Sequence, residues 1–239
     1  MSMACGCTAS HHTKRLVVTG GPGAGKTAVL ELLSHEICSH VVITKEAAGI
    51  LFSGGFPRAG DAIRRAAAQR AIYHVQLELE AIAATTQPGL IICDRGIVDG
   101  SAYWPGPGDF WPAVGGNRAE AFARYDAVVH LRAPSGTNGY GYSNPLRIES
   151  AEEAMAIDER ILAAWDGHPR RFVVEATADF VTKAEQALAI IRREIPSCCA
   201  RGFRRAAGYE VTTSTGHSAP ATTDPTTLPR TAGITLPMP

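Results

Sequence analysis

The sequence predicts an α/β fold in which a mostly parallel, five-stranded sheet is covered by helices on both faces. Short apolar segments alternate with longer segments of helical periodicity, which is the order found in a parallel sheet. The apolar segments are almost continuous runs rather than alternating patterns, as expected for strands that are buried on both faces. The predicted strands are residues 15–19, 41–44, 90–94, 126–131 and 171–175.

The helices predicted between these strands follow from apolar residues at three- and four-residue steps. Ser150 and Glu153 have the spacing of a capping box, which predicts that a helix begins there. The predicted helices span residues 26–35, 61–83, 150–165 and 180–194. In the longest of them the residues at these steps are Ile63, Ala67, Ala71, Val75, Leu79 and Ile82.

A glycine-rich turn between the first strand and the first helix is the strongest functional signal. It matches the pattern G-x-x-x-x-G-K-[ST] in the strand-to-helix context that a phosphate-binding loop (P-loop) requires. Glycines let the backbone wrap closely around a phosphate, and the helix N-terminus adds free N–H groups. The segment is Gly20, Gly21, Pro22, Gly23, Ala24, Gly25, Lys26 and Thr27.

This turn predicts a P-loop NTPase that binds ATP or GTP with Mg²⁺. We expect Lys26 to reach the β- and γ-phosphates and Thr27 to ligate the metal ion. A chance match in a glycine-rich turn is the alternative interpretation.

Three further polar residues are expected at the carboxyl edge of the sheet, where ligands bind in such folds. Asp94 ends the third strand, where it would hold Mg²⁺ through water or orient the attacking group; otherwise it caps the next segment. Arg95 would stabilise the transferring phosphoryl group, unless it only pairs with Asp99. Glu46 follows the second strand, where it would act as a base toward an acceptor hydroxyl or remain a solvated acid at a helix start.

A segment rich in Gly, Ser and Asn between Arg132 and Arg147 predicts a kinase-like lid. A mobile lid that carries arginines would close over the phosphates and exclude water, whereas the alternative is solvated loop charge. Arg58, Arg64, Arg65 and Arg70 would bind an anionic acceptor, although we interpret Arg64 and Arg65 as solvent-facing. The aromatic residues of loop 104–117 would stack on a base or pack in the core; they are Trp104, Phe110 and Trp111.

The residues before the first strand contain a cluster of possible metal ligands: Cys5, Cys7, His11 and His12. Cys and His are zinc ligands, but the C-x-C spacing is unusual and no second pair follows at finger spacing. We interpret residues 1–13 as a flexible leader. The six cysteines do not suggest a disulfide framework in a chain of this length, which indicates a reducing, cytoplasmic compartment.

The composition excludes several classes of protein. Of the 239 residues, 45% are hydrophobic and 19% are charged, which is typical of a globular domain and not of a disordered chain. The 23 basic and 23 acidic residues balance, so no global field favours nucleic acid or an anionic membrane. No apolar run approaches the length of about 18 residues that a transmembrane helix needs. We therefore expect neither nucleic acid nor membrane as a partner.

A series of short motifs follows the P-loop in an order that is more specific than the P-loop itself. It comprises Lys45-Glu46-Ala47-Ala48, Phe56-Pro57-Arg58, Asp94-Arg95-Gly96 with Asp99, Asn144-Pro145-Leu146-Arg147, Asp158-Glu159, and Asp179-Phe180 with Lys183. Over about residues 14–195 the chain resembles the AAA-type ATPase family of P-loop domains. That family includes the ribosylnicotinamide-kinase domain of bacterial NAD-regulator proteins and the channel-translocation-defect proteins.

The resemblance implies a nucleoside- and nucleotide-kinase-like fold that binds ATP or GTP with Mg²⁺. It also implies a base at Glu46 or Asp94 and phosphate contacts from Arg95 and the lid arginines Arg132 and Arg147. The chain has Glu175-Ala176-Thr177 where an Asn-containing turn is expected near the nucleotide base, so the choice between ATP and GTP stays open.

We therefore predict transfer of the γ-phosphoryl group to an unidentified small-molecule acceptor. The alternative is a regulatory ATPase or GTPase switch without a phosphate acceptor. The predicted organisation is a leader at residues 1–13, a P-loop kinase-like domain at 14–196, and a disordered tail rich in Thr and Pro at 197–239.

Overall fold

The computed structural model describes residues 8–58, 61–106, 108–134, 150–177, 179–197 and 199. Its sheet has the strand order β2-β3-β1-β4-β5, and every neighbouring pair is parallel. The predicted α/β class and the five-stranded sheet are therefore confirmed. The strands are β1 (Lys14–Thr19), β2 (Val41–Thr44), β3 (Leu90–Asp94), β4 (Ala127–Leu131) and β5 (Arg171–Val174).

The helices lie on both faces of the sheet. The capping box at the start of α7 is present, because the Ser150 N–H donates to Glu153 and the Glu153 N–H donates to the Ser150 hydroxyl. Four short helices were not predicted: α2, α4, α5 and α6. The helices of the described residues are α1 (Lys26–Ser34), α2 (Ala47–Ser53), α3 (Ala62–Ala84), α4 (Asp99–Ala102), α5 (Phe110–Val114), α6 (Arg118–Ala123), α7 (Ala151–Ala164) and α8 (Phe180–Glu194).

Alternate residues of the strands build two separate hydrophobic layers. In β1, Leu16 and Val18 face one layer, where α1 and α8 pack. Val17 faces the other layer, which includes Tyr73 of α3 and Ile161 of α7. This two-sided burial explains why the strands are continuous apolar runs.

The predicted long helix is present as α3, but the apolar residues that indicated it do not form its buried face. Ile63 and Ile82 are 79% and 65% exposed. The helix instead buries a face that contains two polar residues, Gln76 and Glu80. Glu80 accepts hydrogen bonds from Gln76 and the Tyr125 hydroxyl, and it also pairs with Arg124. Polar partners supplied by the rest of the fold make this face suitable for burial.

The loop over residues 104–117 contains α5. Its Phe110 is buried and lies edge to face with Trp104 and Trp111, at centroid distances of 5.7 and 5.1 Å. The three rings pack together, as the core-packing alternative predicts. Residues 135–149, which include most of the predicted lid and Arg147, lie outside the described residues. Among the described residues, no helix combines the length and the apolar character needed to cross a bilayer.

Candidate active site

Glycines in left-handed conformations shape the loop between β1 and α1. Gly20 and Gly25 have φ angles of 132° and 90°. A Cβ atom at Gly20 would lie 2.0 Å from the Leu131 carbonyl oxygen, and one at Gly25 would lie 2.6 Å from the Phe180 ring. Both positions therefore require glycine for space as well as for backbone conformation.

The N-terminus of α1 follows this loop directly. Gly25 is the N-cap residue, and no side chain caps the helix. The first N–H groups of an α-helix lack helical acceptors. An anion such as a phosphate group is the ligand that these N–H groups and the helix dipole favour.

Lys26 is buried under the same loop. Its Nζ atom donates to the carbonyl oxygens of Gly20 and Gly21, at 2.8 and 2.9 Å. Burial and the nearby Arg95 guanidinium lower the pKa of Lys26 to about 8. A bound phosphate would supply the anionic partner that two neutral carbonyl groups do not provide, and it would raise this pKa again.

Arg95 connects three elements of the site. Its Nε atom donates to Glu46 at 2.6 Å, and its Nη1 atom donates to Asp99 and to the Gly20 carbonyl oxygen, both at 3.2 Å. Asp99 in turn accepts the Thr19 hydroxyl and the Trp165 indole N–H, both at 2.6 Å. The ion pair with Asp99 that we considered is present, but Arg95 also pairs with Glu46.

Glu46 is the N-cap residue of α2, although its side chain makes no capping hydrogen bond. Its side chain is 36% exposed. Burial alone would raise the pKa of Glu46, but the charges of Arg95 and Lys26 hold it below its usual value. Glu46 is therefore ionised at neutral pH.

Asp94 lies at the end of β3 in the same group of charges. Burial, together with the Glu46 carboxylate, raises the pKa of Asp94 to about 6. The carboxylates of Glu46, Asp94 and Asp99 outnumber the cations of Lys26 and Arg95 by one. Because carboxylate and hydroxyl oxygens are the ligands that Mg²⁺ prefers, Asp94 with the Thr27 hydroxyl fits a divalent cation, which would offset the excess negative charge.

The structure adds Asp158 of α7 to the predicted site. Its carboxylate accepts the Gly21 N–H at 2.7 Å, His130 Nε2 at 2.9 Å and the Ala133 N–H at 3.2 Å. Burial alone would raise the pKa of Asp158, but the hydrogen bond with His130 and the two N–H donors hold it below its usual value.

Lys183 of α8 is a second addition. Its Nζ atom donates to the carbonyl oxygens of Ala24 and Arg132, at 2.8 and 2.5 Å. Burial lowers the pKa of Lys183 to about 8. The only sequence signal for Asp158 and Lys183 is that both belong to the series of family motifs; neither stands out in the local periodicity.

A cavity of about 760 Å³ extends from the P-loop past Asp94 and Arg95. This volume is within the range of about 300–1,000 Å³ that small-molecule sites occupy. Of the predicted site residues, those that line the cavity are Pro22, Gly23, Gly25, Lys26, Thr27, Glu46, Asp94 and Arg95. On the side away from the P-loop, its lining includes Ala47, Phe52, Arg58, Arg65, Gln69 and Tyr73.

The remaining predicted residues do not line this cavity. Gly20, Gly21 and Ala24 belong to the P-loop itself. Arg132 lies 3.0 Å from Asp158, also pairs with Glu159, and is not among the lining residues. Arg147 lies outside the described residues.

The basic residues before and within α3 divide into two groups. Arg58 and Arg65 line the cavity, and Arg65 is also exposed, as its solvent-facing interpretation expects. Arg64 and Arg70 are exposed and do not line the cavity.

Comparison with known proteins is consistent with this geometry. Residues 15–183 match the model of a family described as an AAA domain. The chain belongs to this AAA-domain family. No significant match is found among curated proteins.

Two solved structures are similar to this member of the AAA-domain family. A NadR protein in complex with NR has a TM-score of 0.57 and 15% identity, over 76% of this chain and 51% of that chain. Thymidylate kinase from Candida albicans has a TM-score of 0.50 and 14% identity, over 78% and 95% of the two chains. The chain thus spans about half the length of the NadR chain. The likeness shows a kinase-like fold.

Proposed function

We propose that the protein transfers the γ-phosphoryl group of a nucleoside triphosphate, ATP or GTP, to a hydroxyl group of a small molecule. The supporting observation is the shape of the cavity. One continuous space is lined by the P-loop at one end and by residues of α2 and α3 at the other, with Asp94 and Arg95 between them. A nucleotide on the P-loop would direct its γ-phosphate toward a space that can hold an acceptor.

Each end of the cavity has the chemistry for its own ligand. Lys26 and the first N–H groups of α1 would hold the β- and γ-phosphates. Mg²⁺ would be held by Thr27 and, through water, by Asp94, where it would neutralise charge on the phosphates. Arg58 and Arg65 give the acceptor end a basic lining, and Phe52 and Tyr73 give it apolar surface.

Arg95 and Glu46 are placed to act on the reacting groups. Phosphoryl transfer proceeds largely through positioning and charge stabilisation, because its transition state is loose. The Arg95 guanidinium would stabilise the equatorial oxygens of the transferring group. Glu46 is ionised and partly exposed to the cavity, so it would orient the acceptor hydroxyl and accept its proton.

The decisive experiment incubates the protein with Mg²⁺ and ATP or GTP and a panel of nucleosides, ribosides and sugars. The proposal expects a product heavier by one phosphoryl group with at least one acceptor. Glu46→Gln should lower acceptor phosphorylation by about 100-fold, the scale of general-base catalysis. Glu78→Gln is the matched control, because Glu78 is exposed on α3 and does not line the cavity.

A nucleotide-hydrolysing switch without an acceptor is the second candidate. The observation that favours it is the 2.6 Å ion pair between Arg95 and Glu46, which lowers the pKa of Glu46 and makes it a weak base. A switch would hydrolyse the nucleotide at a rate that no panel member stimulates. That result, with Glu46→Gln hydrolysing as fast as the unmodified protein, would contradict the kinase proposal.

A further inference from the structure

Three metal-ligating side chains from distant parts of the sequence meet at the edge of the sheet opposite the candidate active site. His11 precedes β1, His40 precedes β2, and Cys199 follows α8. One ligand atom of each lies within 4.8 Å of the others. These positions are at the amino ends of the strands, whereas the P-loop and Asp94 lie at the carboxyl ends.

The distances in this cluster suit a small tetrahedral ion. His40 Nδ1 lies 3.6 Å from Cys199 Sγ and 4.0 Å from Cys38 Sγ. Zinc–nitrogen and zinc–sulfur bonds of about 2.0 and 2.3 Å place N and S ligands about 3.5 Å apart in a tetrahedron. The rings of His11 and His40 lie edge to face, with their centroids 5.1 Å apart.

The backbone holds these ligands in place. The His40 carbonyl oxygen accepts the N–H groups of Gly89 and Leu90, at 2.8 and 3.1 Å. A Cβ atom at Gly89 would lie 2.4 Å from Pro196 and 3.2 Å from the His11 ring. A residue other than glycine would therefore prevent the close approach of the segments that carry His11 and Cys199.

The ligand types select the kind of ion. The three grouped ligands are one thiol sulfur and two imidazole nitrogens, and the nearby thiol of Cys38 would complete the Cys₂His₂ set of structural zinc sites. No carboxylate belongs to the cluster among the described residues, which disfavours the hard ions Ca²⁺ and Mg²⁺. Cys38 and Cys199 are both buried and neither forms a disulfide.

We propose that His11, His40, Cys199 and Cys38 bind one Zn²⁺ ion in a structural site. Binding replaces the thiol protons, which are released to solvent, and forms two zinc–thiolate bonds. The ion would tie the residues before β1 and those after α8 to the start of β2. Of these ligands only His11 was expected from the sequence, because long stretches of chain separate it from the pair Cys38 and His40 and from Cys199.

The test is a titration of the full, reduced, metal-free chain with Co²⁺, followed by Zn²⁺. A tetrahedral thiolate site predicts one equivalent of bound cobalt, intense d–d bands and thiolate-to-cobalt charge-transfer bands, all abolished by Zn²⁺. Cys199→Ser and His40→Ala should each weaken binding by about 100-fold or more, since even residues that only support a ligand contribute 10–100-fold. His35→Ala, an exposed histidine at the end of α1, is the matched control and should bind as the unmodified protein does.

The same variants also test whether the metal stabilises the folded protein and whether Cys5 and Cys7 bind the metal instead. Zn²⁺ should raise the Tm of the unmodified protein but not that of Cys199→Ser, because only a ligand of the folded state stabilises it. If Cys199→Ser does not fold without metal, His11→Gln provides the same comparison. An octahedral cobalt spectrum without thiolate bands would overturn the proposal. So would binding that persists in Cys199→Ser but disappears in the double variant Cys5→Ser, Cys7→Ser.

Discussion

The carboxylate of Asp158 accepts the backbone N–H of Gly21 at 2.7 Å. The same carboxylate accepts the Ala133 N–H and pairs with Arg132, directly before the predicted lid segment. One buried carboxylate on α7 therefore contacts both the P-loop and the residues where the predicted lid begins. A displacement of either one would change the hydrogen bonds available to the other.

Asp158→Asn is expected to lower the free energy of unfolding by about 2 kcal/mol, the scale of hydrogen bonds to a charged group. The pKa of Asp158 is lowered in the folded state, so its contribution is present above the usual carboxyl pKa and is lost as pH falls through the lower, folded value. The stability difference between the two proteins should therefore shrink below about pH 4. Urea unfolding at several pH values measures it.

Glu159→Gln is the control for this substitution. Glu159 is the next residue on α7, and its side chain is 62% exposed, so its pair with Arg132 should contribute less than about 1 kcal/mol. A difference between Asp158→Asn and the unmodified protein that stays constant from neutral to acidic pH would contradict the assigned role.

Lys26→Met should abolish nucleotide turnover, because it removes the cation beneath the phosphates while it keeps most of the buried apolar chain. Steady-state phosphate release or product formation measures this loss. Lys45→Met is the matched control, since Lys45 is exposed and does not line the cavity. Turnover by Lys26→Met at the rate of the control would refute the assignment of the site.

Arg95→Lys should lower kcat by about 100-fold and change KM for the nucleotide little. Lysine keeps the positive charge but cannot donate to Glu46, Asp99 and the transferring group with a planar fork. The loss of one donor to a developing charge typically costs about 100- to 1,000-fold in rate. A rise in KM with an unchanged kcat would instead make Arg95 a binding residue only.

Phe180→Ala should weaken nucleotide binding by about tenfold, within the range measured for base–aromatic stacking. The ring is 42% exposed, lines the cavity and lies against Gly25 of the P-loop. Isothermal titration with ATP and GTP measures the effect, and Val181→Ala, whose side chain is 60% exposed, is the neighbouring control. Equal affinities in the two variants would exclude a base contact at Phe180.

Glu80→Gln should lower the free energy of unfolding by about 3 kcal/mol, because it removes the charge of a buried, paired group. Arg124 and Arg15 would then lie 2.5 and 3.7 Å from a neutral amide instead of a carboxylate. Glu78→Gln, two residues away and exposed, should leave stability almost unchanged. Chemical denaturation of the two variants side by side makes the comparison.

Local patterns were sufficient to predict the strands and the phosphate loop. Residues 41–44 and 90–94 were predicted with the bounds that the structure shows. Each strand is a short apolar run and the P-loop is a contiguous motif, so both can be recognised from residues that are adjacent in sequence. Glu46, Asp94 and Arg95 were also predictable, because each follows a strand at the edge where parallel sheets bind ligands.

The remaining features depend on partners that are distant in sequence. The apolar spacing of α3 does not identify its buried face, because the buried Glu80 pairs with Arg124 and accepts a hydrogen bond from Tyr125, which no local period reveals. Asp158 and Lys183 contact backbone groups of the P-loop, which any sequence supplies, and the side chains that pair with Asp158, His130 and Arg132, lie 28 and 26 residues before it. Patterns among residues that are adjacent in sequence predict helices and strands, whereas these contacts form only when the helices and strands pack together.

The central position of β1 has a consequence for synthesis on the ribosome. Residues 14–19 emerge first, yet they pair with residues 90–94 on one side and with residues 127–130 on the other. The nascent chain must therefore expose both edges of this strand, with its apolar residues Leu16, Val17 and Val18, until residues 90–94 have been translated, and one edge until residues 127–130 follow. This is a period of vulnerability to aggregation.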